Sequence, residues 1–389
     1  MPTTAIKNLC YRAALPFLAP RPGHMVHRTE GQPLRSMAAY ERLLCRHHVM
    51  GASLLLRGAG RRTAVYTSTL SEPVHSAEPD MLFRVASITK MATALVTLRM
   101  AEAGAFALDD PVAALLPEAC DGLQGITLRQ LLCHTSGLRD TPACDEALKS
   151  GKPYGWVLAQ PGVRKAAPGA AFSYCNFGFG LVGCVLEQAS GWPVSRVFDE
   201  WLIRPLGMNA TLDASGLDAS RLMPITRVLR YHPGQEVTVP PLGRVPLSSA
   251  DPLCHFGHTA GSLYTDAASL SRLLALLQGG GELNGQRLLS AASAADMCAE
   301  HASYGRADRR LSYGLGLLII RDSGISRQRI LGHQGFAYGC VDGAFFEEGS
   351  GCQVVFLNGG CSEARRGRLG MSNREVLRFG LKELHGRGK

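Results

Sequence analysis

The spacing of apolar and polar positions divides the chain into segments of different period. Residues 1–35 show no repeat of either kind and include RPGH, so they read as a loose N-terminal extension. SMAAYERLLCRHH, residues 36–48, has the spacing of a helix. VMGASLLLRGAGRRTAVYTS reads as two strands joined by a turn at Gly58–Gly60. FRVASITKMATALVTL, residues 83–98, is apolar or small on every side, which marks a buried helix, and Gly104 supplies its stop. From about 105 to 260 the pattern is mixed helix and loop. SLSRLLALLQGGG, residues 269–281, is another helix with a glycine stop. LSYGLGLLII, RQRILGHQG, DGAFFEEG and CQVVFLNGG are short strand-like runs whose turn residues predict an antiparallel sheet. SNREVLRFGLKEL closes the chain as a helix, with Ser372 and Glu375 spaced as a capping box.

Strands near both ends with helices between them predict an α/β (α+β) fold: an antiparallel sheet flanked by helices, plus a mostly helical domain. The division expected is 1–35 as the extension and 36–389 as one catalytic domain, with the α/β part at about 36–90 and 265–389 and the helical part at about 91–264. Internal repeats and low-complexity tracts are absent from the sequence.

Composition narrows the function classes. The net charge of +9 raises nucleic-acid binding, but the basic residues are scattered, the locally basic tail is interrupted by acids, and no basic patch is interleaved with aromatics. A solvated basic surface with some attraction for anions is the reading kept. The twelve cysteines include no CxxC pair or zinc-finger spacing, which points to free thiols in a reducing compartment and so to a cytoplasmic protein. KNLCYRAALPFLAP is broken by Arg12 and Pro16 and does not read as an export signal. No apolar run approaches the ~18 residues of a spanning helix.

The chemistry starts at Ser87 and Lys90. Lys90 is the only charge between Ser87 and Leu98, and it sits too near the helix start to reach water along the helix. A buried ammonium needs partners or loses its proton. Residues three apart share a helix face, so Ser87 has a nitrogen within reach at a helix N-terminus that favours negative charge. The plainer reading is a capping serine and a solvated lysine.

Tyr174-Cys175-Asn176, His333-Gln334-Gly335, LLCHTSGL (131–138) and LIRPLGM (202–208) shift the weight. S-x-x-K, Y-x-N and H-x-G in this order resemble the serine β-lactamase and penicillin-binding-protein superfamily, on the branch of class C β-lactamases, DD-peptidases, esterases and D-aminopeptidases. The resemblance covers roughly residues 37–389. It implies a serine hydrolase acting through an acyl-enzyme on Ser87, without metal or cofactor. It implies that Lys90 and Tyr174 share deprotonation of Ser87 and donation to the leaving group. Which of the two is the base stays open, since a phenol near pKa ~10 is a poor base at neutral pH unless a cation helps it. Asn176 is implied to orient the acyl side chain and Lys90. His333 and Gly335 are implied to lie on the strand edging the site, and the N–H groups of Ser87 and Phe336 to form the oxyanion hole.

His333 stands where relatives that are lactamases and DD-peptidases usually have a lysine that helps hold a carboxylate. A neutral imidazole argues for an ester or amide hydrolase, esterase-like first, with His333 either touching substrate or serving as a hydrogen-bonded spacer. The alternatives kept are a β-lactamase or D-amino-acid-specific peptidase, an acyltransferase to a small acceptor, and a non-catalytic binding protein of the same fold. The expected partner is a small ester, amide or peptide; oligomeric state is not readable. Loops 139–170 and 225–260, with PYGWV, RYHPGQEV and LCHFGH, are expected to line a pocket for a moderately bulky substrate.

Other signals weigh less. GFGLVG (178–183) matches GxGxxG but follows no clear strand, and small residues for helix packing explain it better than a nucleotide site. GxSxG is absent. Cys254, His255 and His258 lack a further ligand nearby for a metal. His134 reads as a structural hydrogen-bonding histidine, and Cys175 as a packed small residue.

Overall fold

The computed structural model describes residues 4–19, 22–58, 60–70, 74–118, 121–228 and 247–386. Its main sheet contains β1 (Met25–Gly31), β2 (Ala52–Gly58), β3 (Arg61–Thr69), β4 (Ala302–Ser303), β5 (Leu311–Tyr313), β6 (Leu318–Ile320), β7 (Ile330–Ala337), β8 (Cys340–Glu347) and β9 (Gln353–Asn358). All neighbours are antiparallel, in the order β1-β3-β2-β9-β8-β7-β6-β5-β4. The helices used below are α1 (Thr4–Leu18), α2 (Met37–Arg46), α3 (Thr89–Glu102), α4 (Asn176–Ser190), α5 (Ala267–Gln278) and α6 (Met371–His385).

Central strands such as β2 and β9 are apolar at consecutive positions because both faces of the sheet are covered. Leu54, Leu56, Val354 and Phe356 pack with Tyr40 and Leu44 of α2 and Leu377 and Leu381 of α6. Leu55, Val355 and Leu357 point the other way, into a core with α3 and with Leu270, Leu273 and Leu274 of α5. Each such side chain stabilises the fold by about 1.5–3 kcal/mol relative to exposure. The second core continues through α3 into the helical part, so Met91, Leu95 and Leu98 share a cluster with Phe179, Val182 and Leu186 of α4. The chain leaves the sheet and returns at a small ladder, where Phe83 pairs with Thr265 and Arg84 with Tyr264.

Two expectations need correcting. The described part of residues 1–35 is not loose: α1 is helical, and β1 pairs along its whole length with β3, from Met25↔Thr69 to Gly31↔Thr63. Main-chain bonds make this edge strand, so MVHRTEG needs no alternation of side chains to form it. The closing helix has no capping box: Gly370 is its N-cap. Ser372 is buried and accepts from Cys361 Sγ at 3.8 Å. Glu375 instead accepts from Arg46 at 2.9 Å and pairs with His47 at 3.1 Å, tying α6 to α2.

GFGLVG is a packing motif here. A Cβ at Gly180 would sit 1.6 Å from Phe256 O, and one at Gly183 would sit 2.6 Å from Thr259 Oγ1. This close approach brings the segment 256–260 against α4, and with it Ala260 O against Lys90. Among the described residues no helix is long and apolar enough to cross a membrane.

Candidate active site

Ser87 lies in a single tight turn, Ala86–Ile88, that runs directly into α3. Ala86 has φ 45°, a left-handed conformation that a residue with a Cβ adopts at a cost. Two contacts hold it there. Thr89 Oγ1 donates to Ala86 O at 2.6 Å, and β7 passes so close that a Cβ at Gly335 would lie 2.4 Å from Val85 O. The turn therefore presents Ser87 at a fixed place beside β7.

Three polar atoms surround the Lys90 ammonium, and the residue is completely buried. Nζ donates to Ser87 Oγ at 3.1 Å, Asn176 Oδ1 at 2.8 Å and Ala260 O at 2.7 Å. Burial pushes Lys90 down to about 7, with the field of Asp140 acting in the opposite direction. Tyr174 OH donates to Ser87 Oγ at 2.9 Å. Burial pushes this phenol well above its ordinary value, against the bond to Ser87. Ser87 Oγ thus sits between an amine that can be neutral near pH 7 and a phenol that keeps its proton.

His333 belongs to β7 and is 3% exposed. Its Nδ1 bonds Gln334 O at 2.6 Å, so the proton is on Nδ1 and Nε2 accepts from Tyr313 OH at 2.8 Å. Burial first, then Lys90, depress it to about 3, so it is neutral across the working range of pH. His134 is likewise buried and uncharged. Its Nδ1 accepts from Cys175 N–H at 3.2 Å, its carbonyl accepts from Ser173 N–H at 2.8 Å, and its ring packs 4.3 Å from that of Tyr174. Cys175 is buried at the N-cap of α4, where its Sγ accepts from Gly178 N–H at 3.3 Å.

Sequence reasoning missed Asp140. Its carboxylate accepts from Asn176 N–H at 3.0 Å, Phe177 N–H at 2.9 Å and Asn176 Nδ2 at 2.7 Å. It caps α4 and turns the Asn176 amide so that Oδ1 faces Lys90. The only hint in the sequence is an acid soon after LLCHTSGL, in a loop that pattern does not resolve.

Two clefts meet at Ser87. One, of about 450 Å³, is lined by Arg84, Asp140, Pro142, Leu148, Phe256 and Tyr338. The other, of about 520 Å³, is lined by Lys165, Tyr174, Tyr304, His333, Arg365 and Arg368. Phe336 borders both. PYGWV does not line either: Tyr154 and Val157 are core residues, and Tyr154 OH donates to Glu118 O at 3.0 Å. LCHFGH contributes Phe256 and Gly257, whereas RYHPGQEV lies outside the described residues. His255 bonds Glu187 at 2.8 Å, and that carboxylate also accepts from the N–H groups of Val194 and Asp251, a structural arrangement.

A family model described as Beta-lactamase matches residues 33–370. The chain is 32% identical over 152 residues to the D-alanyl-D-alanine-carboxypeptidase/endopeptidase AmpH of Escherichia coli, 36% of this chain and 39% of AmpH. It is 32% identical over 184 residues to the esterase EstB of Burkholderia gladioli, 40% of this chain and 43% of EstB. The matches thus span less than half the length of these two curated relatives. A D-stereospecific amidohydrolase from Streptomyces sp. has a similar structure, with a TM-score of 0.68 at 25% identity, covering 91% of this chain and 100% of that one.

Proposed function

Because the chain belongs to the beta-lactamase family, we propose that it is a serine hydrolase that cleaves a small ester or amide through an acyl-enzyme on Ser87. The observation that carries this reading is the Ser87 hydroxyl held between buried Lys90 and Tyr174. Lys90 is the base. As the neutral amine it takes the Ser87 proton while Oγ attacks the carbonyl carbon. The backbone N–H groups of Ser87 and Phe336 receive the developing oxyanion. The proton returns to the departing group through Lys90 and Tyr174, whose raised pKa suits a donor and not a base. Water then repeats the attack on the acyl-enzyme with Lys90 again as base. Asn176, oriented by Asp140, holds the Lys90 amine and faces the cleft that receives the acyl group.

Esters are the preferred substrates. His333 puts no cation on β7, and both its nitrogens are engaged, so it serves as a spacer that holds Tyr313 and the strand. Amide cleavage is the second reading, favoured by the similarity to AmpH and to the amidohydrolase. The test has two parts. A fluorophosphonate probe should add its mass at Ser87, and Ser87→Ala should abolish both labelling and turnover. Activity kept at a tenth or more of wild type in Ser87→Ala removes Ser87 as nucleophile. Short p-nitrophenyl esters, D-aminoacyl amides and nitrocefin then rank the substrates, and faster turnover of nitrocefin than of any ester overturns the ester preference.

A further inference from the structure

The face of the sheet that α6 covers is apolar where Phe345, Val354 and Phe356 share a core with Leu381 and Leu384. Its end at the hairpin between β8 and β9 breaks that pattern. Glu347 is the last residue of β8, and Cys352 stands just before β9. Glu347 N–H donates to Cys352 O at 2.8 Å, so the two are opposed across the hairpin. Side chains alternate along a strand, which puts Glu347 on the side of Phe345 and Cys352 on the side of Val354, both toward α6. His385, the last residue of α6, meets them there. Among the described residues, these are the one group of three His, Cys, Asp or Glu side chains whose ligand atoms all lie within 4.8 Å of one another.

The surroundings aim these atoms at one another. His385 Nε2 lies 2.7 Å from Glu347 Oε2. The other carboxylate oxygen, Oε1, accepts from Ser326 Oγ. Cys352 N–H donates to Ser350 Oγ at 3.2 Å, and that hydroxyl donates to Glu347 O at 3.4 Å, which fixes the hairpin. The arginines nearby are engaged elsewhere: Arg329 Nε donates to Glu348 at 2.8 Å, and Arg35 Nε to Glu383 O at 3.1 Å. Glu347 and Cys352 are buried, whereas His385 reaches the surface. A buried carboxylate therefore faces an imidazole and a thiol, with a way in from solvent along the end of the helix.

We propose that Glu347, Cys352 and His385 form a zinc site that pins the end of α6 to the β8–β9 hairpin. Zn²⁺ takes thiolate, imidazole and carboxylate ligands at about 2.0–2.3 Å in a tetrahedron, so small side-chain movements close the set, with water as the fourth ligand on the exposed side of His385. Thiolate and carboxylate together cancel the two charges of the ion, so its burial leaves no net charge. On binding, the S–H bond of Cys352 breaks, its proton goes to solvent, and the sulfur electron pair bonds the metal. A thiolate ligand selects zinc over Mg²⁺ and Ca²⁺, which take oxygen. Ser326 keeps the carboxylate oriented from behind. The site lies on the face of the sheet away from α3, and Glu347 stands opposite Ile330, at the other end of β7 from Gly335. Its zinc stabilises the fold and takes no part in acyl transfer.

The experiment strips the full-length chain with EDTA and adds back Co²⁺ or Zn²⁺. It uses the wild type and a chain carrying Cys10→Ser and Cys45→Ser, since those two thiols are exposed and could take metal on their own. Co²⁺ should give an intense thiolate-to-cobalt charge-transfer band that saturates at one ion per chain and is displaced by Zn²⁺. Cys352→Ser should abolish the band. His385→Gln, at a helix end where the fold tolerates it, should weaken zinc binding at least about 100-fold, and Ser326→Ala about tenfold. Saturating Zn²⁺ should raise Tm by about 3 °C or more, an increment that His385→Gln removes and Mg²⁺ does not produce. Turnover of p-nitrophenyl acetate should be equal with and without zinc. Absence of the band with Co²⁺, or a zinc affinity that neither Cys352→Ser nor His385→Gln changes, overturns the site. A rise in Tm that persists in His385→Gln overturns its role in pinning α6. Zinc-dependent turnover that His385→Gln removes overturns its separation from the chemistry.

Discussion

Lys90 sets the terms at the scale of single residues. Its three bonds go to a hydroxyl, an amide and a carbonyl, none of which carries a charge. No carboxylate bonds it, and burial, opposed only in part by the field of Asp140, depresses its pKa to about 7. Below that value the amine is protonated and cannot accept from Ser87. For a neutral ester, kcat/KM should therefore fall about tenfold per pH unit below about 7 and level off above it. His333, held near 3, adds no limb between about 5 and 9. A pH–rate profile that is flat down to about 5 would rule out Lys90 as the base.

The same depression is a statement about stability. Unfolded, the amine has its ordinary value near ~10.4, so the unfolded chain binds more protons between about 7 and 10. The Lys90 contribution is fully present above the unfolded value and is lost as pH falls through about 7. Lys90→Met should remove this dependence. The wild-type minus variant difference in unfolding free energy, measured in urea, should rise by roughly 2 kcal/mol from pH 7 to 9. Turnover of the variant should fall by a factor of about 1,000 or more.

Elements decide whether these residues meet. Asp140 closes the N-terminus of α4 and orients Asn176 in one arrangement. Asp140→Ala should cost about 1–2 kcal/mol, read as a shift in the urea midpoint, and should lower kcat more than it raises KM, since Asn176 loses its fixed direction. Gly335 is the second control point. A methyl group there meets Val85 O, the backbone just before the turn that carries Ser87. Gly335→Ala should force β7 away from that turn and lower kcat about 100-fold, while the protein stays folded by circular dichroism. The strands and α3 were legible because their residues obey strong local rules: an all-apolar helix, and runs bounded by glycine. Asp140 was not, because a cap formed by a distant loop leaves no periodic trace. Edge strand β1 was missed for a related reason, since main-chain pairing to β3 forms it and its side chains are mostly solvated.

For the molecule as a whole, β2 and β3 come from the start of the chain, and β9 from near its end lies beside β2. One sheet is thus built from both ends, and its two faces share their central strands. Phe356, opposite Leu54 in the register, is 1% exposed. Phe356→Ala should cost about 3–5 kcal/mol. Circular dichroism and catalytic activity should then be lost in one coincident transition, because the sheet that carries β7 also anchors the turn before α3. The S-x-x-K, Y-x-N and H-x-G triplets told which residues converge. Their separation along the chain could not show what fills the space around them. The two clefts follow from contacts between distant segments.

The order of strands also has a consequence for synthesis. The main sheet cannot close at β2 until Val354 is available to pair with Leu56, and β7 cannot support the Ser87 turn before it has been made. At ribosomal speeds of about 5–20 residues per second, the serine is outside long before its surroundings exist, by roughly a quarter of a minute to a minute. An unfinished chain therefore exposes a serine and a lysine with ordinary acidity. On the proposed mechanism, reactivity should begin only once β7 and β9 have been made, so an abandoned fragment would carry the proposed nucleophile in an inert form.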